Sequence, residues 1–152
     1  MKTFRLIGVT MLAIALCVNF TACDDDEEHV NMSELIGLWE PYHAEGYEIG
    51  SNGQRYEWNE DIEDVATNET EYSRWEFLTD GEFKEHYYSN GWYYDSGRYT
   101  IEGSKITLLD NEGDFYDQFT ILLLNENELI MEFKEKEDGY EYYQKLSCRK
   151  VR

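Results

Sequence analysis

The stretch Trp75-Glu76-Phe77-Leu78-Thr79-Asp80-Gly81-Glu82-Phe83, residues 75–83, alternates rings with polar side chains on both sides of an Asp-Gly pair. In an extended chain successive side chains point to opposite faces, so Trp75, Phe77 and Thr79 share one face and Arg74, Glu76 and Leu78 the other. Asp-Gly accepts the positive φ that a tight two-residue turn demands, so the pattern predicts a β-hairpin. Beyond the turn the alternation resumes, with Phe83 and Tyr87 opposite Glu82, Lys84 and His86.

Working outward, the same grammar repeats to the end of the chain. Glu82 to Tyr88 runs into Asn90-Gly91, Trp92 to Ile101 into Gly103-Ser104, and Lys105 to Leu109 into Asn111-Glu112-Gly113. Phe115 to Leu124 precedes Asn125-Glu126-Asn127, Glu128 to Lys136 precedes Asp138-Gly139, and Tyr140 to Arg149 closes the series. Sustained helical periodicity is absent, apart from one capped turn at Met32-Ser33-Glu34-Leu35-Ile36. Adding Leu38 to about Ile49 gives eight strands in sequence order, each expected to pair with its neighbour. The fold class is therefore all-β: a single antiparallel up-and-down barrel of about eight strands, whose closure hides the last edge against the first.

Two segments need separate placement. Pro41 removes a ladder donor, so the first strand is expected to bend there. Gln54 to Trp58, after Ser51-Asn52-Gly53, could form a ninth strand, but a closed antiparallel barrel needs an even number, so Gly50 to Thr70, which carries Glu57, Glu60, Asp61, Glu63, Asp64 and Glu69, is placed outside the wall as a hairpin or lid over one mouth. The run Phe115 to Leu124 is apolar on both faces toward its end, which implies cover from another element.

At 152 residues the chain has room for one domain. Its formal charge is −20. Residues 1–22 hold Lys2 and Arg5 and no acid, so without them the remainder carries −22. Such a field repels phosphate backbones, which argues against nucleic acid as a partner. Aromatic residues at 16% supply ample surface to bury, which argues against a disordered acidic chain.

The N-terminus reads as an export signal: Lys2 and Arg5 precede an apolar run of about fifteen residues, Leu6 to Phe20, too short for a membrane span. Phe20-Thr21-Ala22-Cys23 resembles the lipobox of bacterial lipoproteins, with Phe20 where such boxes usually carry Leu. The acids Asp24 to Glu28 resemble the surface-export signal of Bacteroidota lipoproteins. These resemblances imply a signal peptide over 1–22, acylation (palmitate included) of Cys23, an acidic tether over 23–32 and a domain over 33–152. They imply an outer-membrane, surface-exposed address, with membrane contact through the lipid anchor. Cys17 leaves with the signal, so Cys148 stands alone in the domain; its alternation with Leu146 marks it as a buried, inert thiol.

Leu35-Ile36-Gly37-Leu38-Trp39 matches a Gly-x-Trp signature at the start of a first strand. With residues 75–83 and Gly97-Arg98-Tyr99-Thr100-Ile101-Glu102-Gly103-Ser104-Lys105-Ile106, it resembles the lipocalin-like domains of Bacteroidota lipoproteins, a calycin-type barrel, across roughly 33–149. The resemblance implies that Trp39 packs under the closed end against a basic residue of the last strand, for which Arg149 is the candidate.

No Gly-x-Ser-x-Gly elbow, phosphate loop or His-Glu-x-x-His zinc helix occurs, so no enzyme, cofactor or metal site is expected. His29, His43 and His86 would have to converge from a tail and two strands to bind metal. Asp110-Asn111-Glu112-Gly113-Asp114 has the oxygens of a calcium loop without its length, and reads as a solvated turn. Two functions remain. The first is binding of a small apolar or aromatic ligand in a cavity lined by Trp75, Phe77, Phe83, Tyr87, Phe119, Met131, Phe133 and Tyr142. The alternative is a non-catalytic accessory lipoprotein with a packed barrel, docking on an outer-membrane protein partner, itself unknown, through rings such as Tyr87, Tyr88, Trp92, Tyr93 and Tyr94.

Overall fold

The computed structural model describes residues 30–67 and 71–152. The expected signal segment, Cys23, the acids behind it and His29 lie outside the described residues. A helical turn, α1 (Met32–Leu35), is capped by Asn31, whose side chain accepts from the Ser33 amide at 3.2 Å. It stops because Gly37 takes φ +140°, a conformation open to glycine and costly for other residues.

Nine strands follow: β1 (Gly37–Ile49), β2 (Arg55–Asp61), β3 (Arg74–Phe77), β4 (Glu82–Tyr88), β5 (Trp92–Glu102), β6 (Lys105–Asp110), β7 (Phe115–Leu124), β8 (Glu128–Glu137) and β9 (Tyr140–Lys150). All pair antiparallel, in the order β2-β1-β3-β4-β5-β6-β7-β8-β9, and β1 also pairs with β9. That last pairing closes an eight-stranded barrel of β1 and β3 to β9. The turn signals act as expected: Asn90 and Asp138 both take left-handed φ, at 55° and 37°, which their short polar side chains tolerate.

Strand β2 corrects the placement of residues 50–70 wholly outside the wall. It pairs with β1 from His43↔Asp61 to Ile49↔Arg55, whereas β3 holds the lower part of the same β1 edge, Gly37↔Phe77 to Trp39↔Trp75. Thus β2 and β3 share one edge of β1 at different heights, and the even-numbered closure survives. Pro41 bends β1 as expected, with a register shift between Pro41 and His43 against β9.

The interior divides by height. At the base, Trp39, Phe77, Ile106, Leu108, Phe119, Leu129, Met131 and Cys148 are packed and almost fully buried. Burying one such large side chain contributes about 1.5–3 kcal/mol. Phe77 meets Tyr99 edge to face at 5.3 Å and Phe119 at 6.2 Å, so no ligand space remains there. Cys148 is the buried thiol anticipated, and burial pushes its pKa up. The far end of β7 departs from expectation: Leu122 and Leu123 remain 45% and 40% exposed, without full cover among the described residues.

Candidate functional site

Above the packed base the wall encloses a cavity of about 540 Å³. Its floor is Trp75 on β3 and Phe133 on β8, with ring centroids 6.4 Å apart, resting on Phe119. One side is Trp58 on β2 against Tyr142 on β9, 5.6 Å apart. Gly46 makes that side passable for the chain: a Cβ there would lie 2.6 Å from Trp58 Cζ2 and 2.2 Å from the Tyr143 carbonyl oxygen. Trp58 Nε1 is buried without a hydrogen-bond partner among the described residues.

Around and above the rings stand carboxylates. Glu48 on β1 sits opposite Tyr56 on β2 and Tyr142 on β9, so one residue faces inward between two aromatic neighbours. Glu60 comes from β2, Glu71 from the chain entering β3, Glu85 from β4 and Asp117 from β7. Among the described residues, no Lys, Arg or His lines the cavity. Tyr72 donates to Glu60 Oε1 at 2.6 Å and Tyr116 donates to Glu85 Oε2. Burial, and then these hydrogen bonds to carboxylates, push both phenols above their ordinary range. Burial also raises Asp117; its bond from the Gln118 amide opposes this, and Glu85 and Glu135 add to it.

Of the eight residues expected to line a cavity, Trp75, Phe133 and Tyr142 do so. Phe77, Phe83, Phe119 and Met131 are buried in the base, two percent exposed or less. Tyr87 stands at the rim, 38% exposed and stacked on Tyr93. The lining carboxylates and the rings of Tyr56 and Trp58 are not among the residues expected there, although the possible strand at Gln54 to Trp58 carries the signal: Tyr56, Trp58 and Glu60 alternate with Glu57 and Asn59 as a half-buried strand should.

At the closed end, Trp39 is fully buried and its Nε1 donates to the Leu35 carbonyl oxygen at 2.8 Å. The basic residue over its ring is Lys150, whose Nζ lies 4.9 Å from the indole centroid. Arg149 is one position away, opposite Glu40, and donates to its Oε1 at 2.6 Å. Opposite residues in an antiparallel pair share a face, and Trp39 is opposite Lys150.

A helical turn under a closed antiparallel barrel, a Gly-x-Trp entry and a basic cap on that tryptophan are now in place. The family model of the lipocalin-like domain matches residues 35–131. The chain belongs to the lipocalin-like domain family. Two solved structures are similar to this lipocalin-like chain. One, a lipocalin-like protein from Bacteroides uniformis, is 15% identical, with 78% of this chain and 99% of that one covered, at a TM-score of 0.46. The other, an uncharacterized protein from Bacteroides eggerthii, is 12% identical, with 77% and 99% covered, at a TM-score of 0.45. No curated protein matches this lipocalin-like sequence.

Proposed function

We propose that this protein is a lipid-anchored envelope lipoprotein whose barrel binds a small ligand with an apolar or aromatic body at its open end. The observation that supports this most is the division of the interior: the base is filled by side chains, and above it a cavity of about 540 Å³ stays open between Trp75, Phe133, Trp58 and Tyr142. Cavities of roughly 300–1,000 Å³ hold small ligands. The anchor rests on the resemblance of residues 20–23 to a lipobox, a few residues before the first described position, Val30. Two or three acyl chains on Cys23 would give durable attachment, at roughly 0.8 kcal/mol per buried methylene.

The test of the cavity uses the uncharged fluorophore Nile red. Its emission should rise saturably at one site per chain, and Ser73→Trp, which fills the cavity from its lining, should abolish the rise while the protein stays folded by circular dichroism. A rise untouched by Ser73→Trp would place the dye elsewhere and sink the reading. For the anchor, labelled palmitate should be incorporated by the wild type and lost in Cys23→Ser.

A second reading, docking on an outer-membrane protein, is favoured by the tip of β4 and β5, where Trp92, Tyr93 and Tyr94 are 41%, 53% and 56% exposed. Exposed rings of this kind are frequent anchors in interfaces. Under that reading, Trp92→Ser with Tyr93→Ser removes the interaction and leaves Nile red binding intact.

A further inference from the structure

We propose that the ligand of the mouth cavity is an organic cation: a protonated amine or quaternary ammonium group carried on an apolar body. The inference rests on the ligand-binding reading above and assigns the ligand's charge.

Two independent features of the wall point to it. The first is a contrast in pairing. Several carboxylates elsewhere on the barrel hold cations: Glu40 binds Arg74 and Arg149, Glu45 binds Lys145, Glu76 binds Arg152, Glu132 binds Lys134 and Glu141 binds Lys136. Among the described residues, none of the carboxylates lining the cavity has such an ion pair. The cavity thus gathers five carboxylates, Glu48, Glu60, Glu71, Glu85 and Asp117, with no neutralising cation among the described residues, between walls whose low dielectric strengthens their field.

The second feature is the aromatic lining. The faces of Trp and Tyr rings are negative and attract cations within about 6 Å, most strongly where water is excluded. This protein already uses that contact on its exterior, where the Arg74 guanidinium lies 4.1 Å from the Trp92 ring and Arg55 lies 3.7 Å from Tyr47. Inside the cavity, Trp58, Trp75 and Tyr142 present rings next to carboxylates, with no basic side chain among the described residues that line it. A neutral apolar guest would leave those carboxylates desolvated without return, and an anion would be repelled.

An inorganic ion fits less well. Among the described residues, no three of the His, Cys, Asp and Glu side chains converge closely enough to hold a metal. Carboxylates spread around a cavity of this size suit a diffuse cation with a body that fills the space.

The experiment is calorimetric titration of the full chain, at low salt and neutral pH, with isosteric sets that differ in charge. Tryptamine, tryptophol and indoleacetate form one set, and octylammonium, octanol and octanoate the other; calcium chloride is the metal arm. In at least one set the cation should bind at one site, about tenfold or more tighter than its neutral isostere, and added salt should weaken it. The double variant Glu48→Gln with Glu71→Gln should cut that preference to under about threefold. Equal or tighter binding of the neutral or anionic member, a preference that survives the double variant, or calcium displacing the organic cation would each overturn the inference. If Nile red still binds in the first case, the cavity reading stands and only the charge assignment falls. Binding by neither Nile red nor any member of either set would overturn both.

Discussion

Lys150 caps Trp39: its ammonium lies 4.9 Å from the indole centroid and donates to the Glu34 carbonyl oxygen at 2.7 Å, so one side chain ties β9 to both the ring and the end of α1. The same contact explains the glycine two residues earlier. A Cβ on Gly37 would meet Lys150 Cε and the Arg152 carbonyl oxygen, both at 2.6 Å, at a φ of +140°. Gly37→Ala should therefore cost on the order of 2 kcal/mol or more in urea unfolding, because strain and collision add. Lys150→Met should cost under about 1 kcal/mol, since the methionine stem still covers the ring. A larger loss for Lys150→Met than for Gly37→Ala would mean that the ammonium, rather than the close approach of backbone, holds the base shut.

Glu40 accepts from Arg74 Nε and Arg149 Nη2, both at 2.6 Å, on the outer face beside the base. Burial works to raise its pKa, but the hydrogen bonds from Arg149 and Arg74 outweigh it and hold Glu40 below its ordinary 4.5. Glu76 behaves likewise, with burial opposed and outweighed by His86 and Arg152. A carboxyl with a lowered folded pKa binds fewer protons folded than unfolded, so its stabilisation is present above 4.5 and is lost as pH falls through the folded value. Urea midpoints should therefore drop on acidification below about 4.5, and the drop should be shallower in Glu40→Gln. At neutral pH that variant should lose roughly 2 kcal/mol, less than a fully buried pair loses, because Arg149 is more than half exposed.

How much of this was legible follows from what local chemistry encodes. Asp80-Gly81, Asn90-Gly91 and Asp138-Gly139 fix turns through backbone preference, so the strand order and the closed barrel could be read directly. Pro41 lacks an amide hydrogen, so the bend was legible too. Height along the barrel was not: alternation assigns a face, and Trp75 and Phe77 share one, yet the first floors the cavity and the second is sealed beneath it. The even strand number of a closed barrel set the possible strand at Gln54 to Trp58 outside the wall, because spacing does not show that β2 and β3 can share one edge of β1 at different heights. Parity separates Arg149 from Lys150: Leu146 and Cys148 point inward and Lys150 continues their face, which leaves Arg149 on the outer face against Glu40.

The aromatic tip separates structure from surface. Trp92 covers Arg74 and meets Tyr88 edge to face at 5.5 Å, whereas Tyr93 stacks on Tyr87 at 5.9 Å. Trp92→Ser should therefore lower stability by about 0.5–1.5 kcal/mol and Tyr93→Ser by less. Thermal unfolding checks the order. A loss of several kcal/mol for either would show that these rings belong to the core rather than to an exposed face.

Asp117 carries the opposite sign from Glu40. Burial raises its pKa, the Gln118 amide pulls it down, and the charges of Glu85 and Glu135 raise it further. A carboxyl whose folded pKa exceeds its unfolded value binds more protons folded, so its ionisation destabilises the protein as pH rises through the folded value. Asp117→Asn keeps an oxygen for the Gln118 amide and removes the charge, so at neutral pH it should stabilise the domain by about 0.5–1 kcal/mol. The advantage should shrink as pH falls, because the wild-type carboxyl then takes up its proton. If the organic cation binds beside Asp117, the same variant should bind tryptamine or octylammonium more weakly while unfolding at higher urea. Gaining stability together with cation affinity would mean that this carboxylate takes no part in holding the ligand.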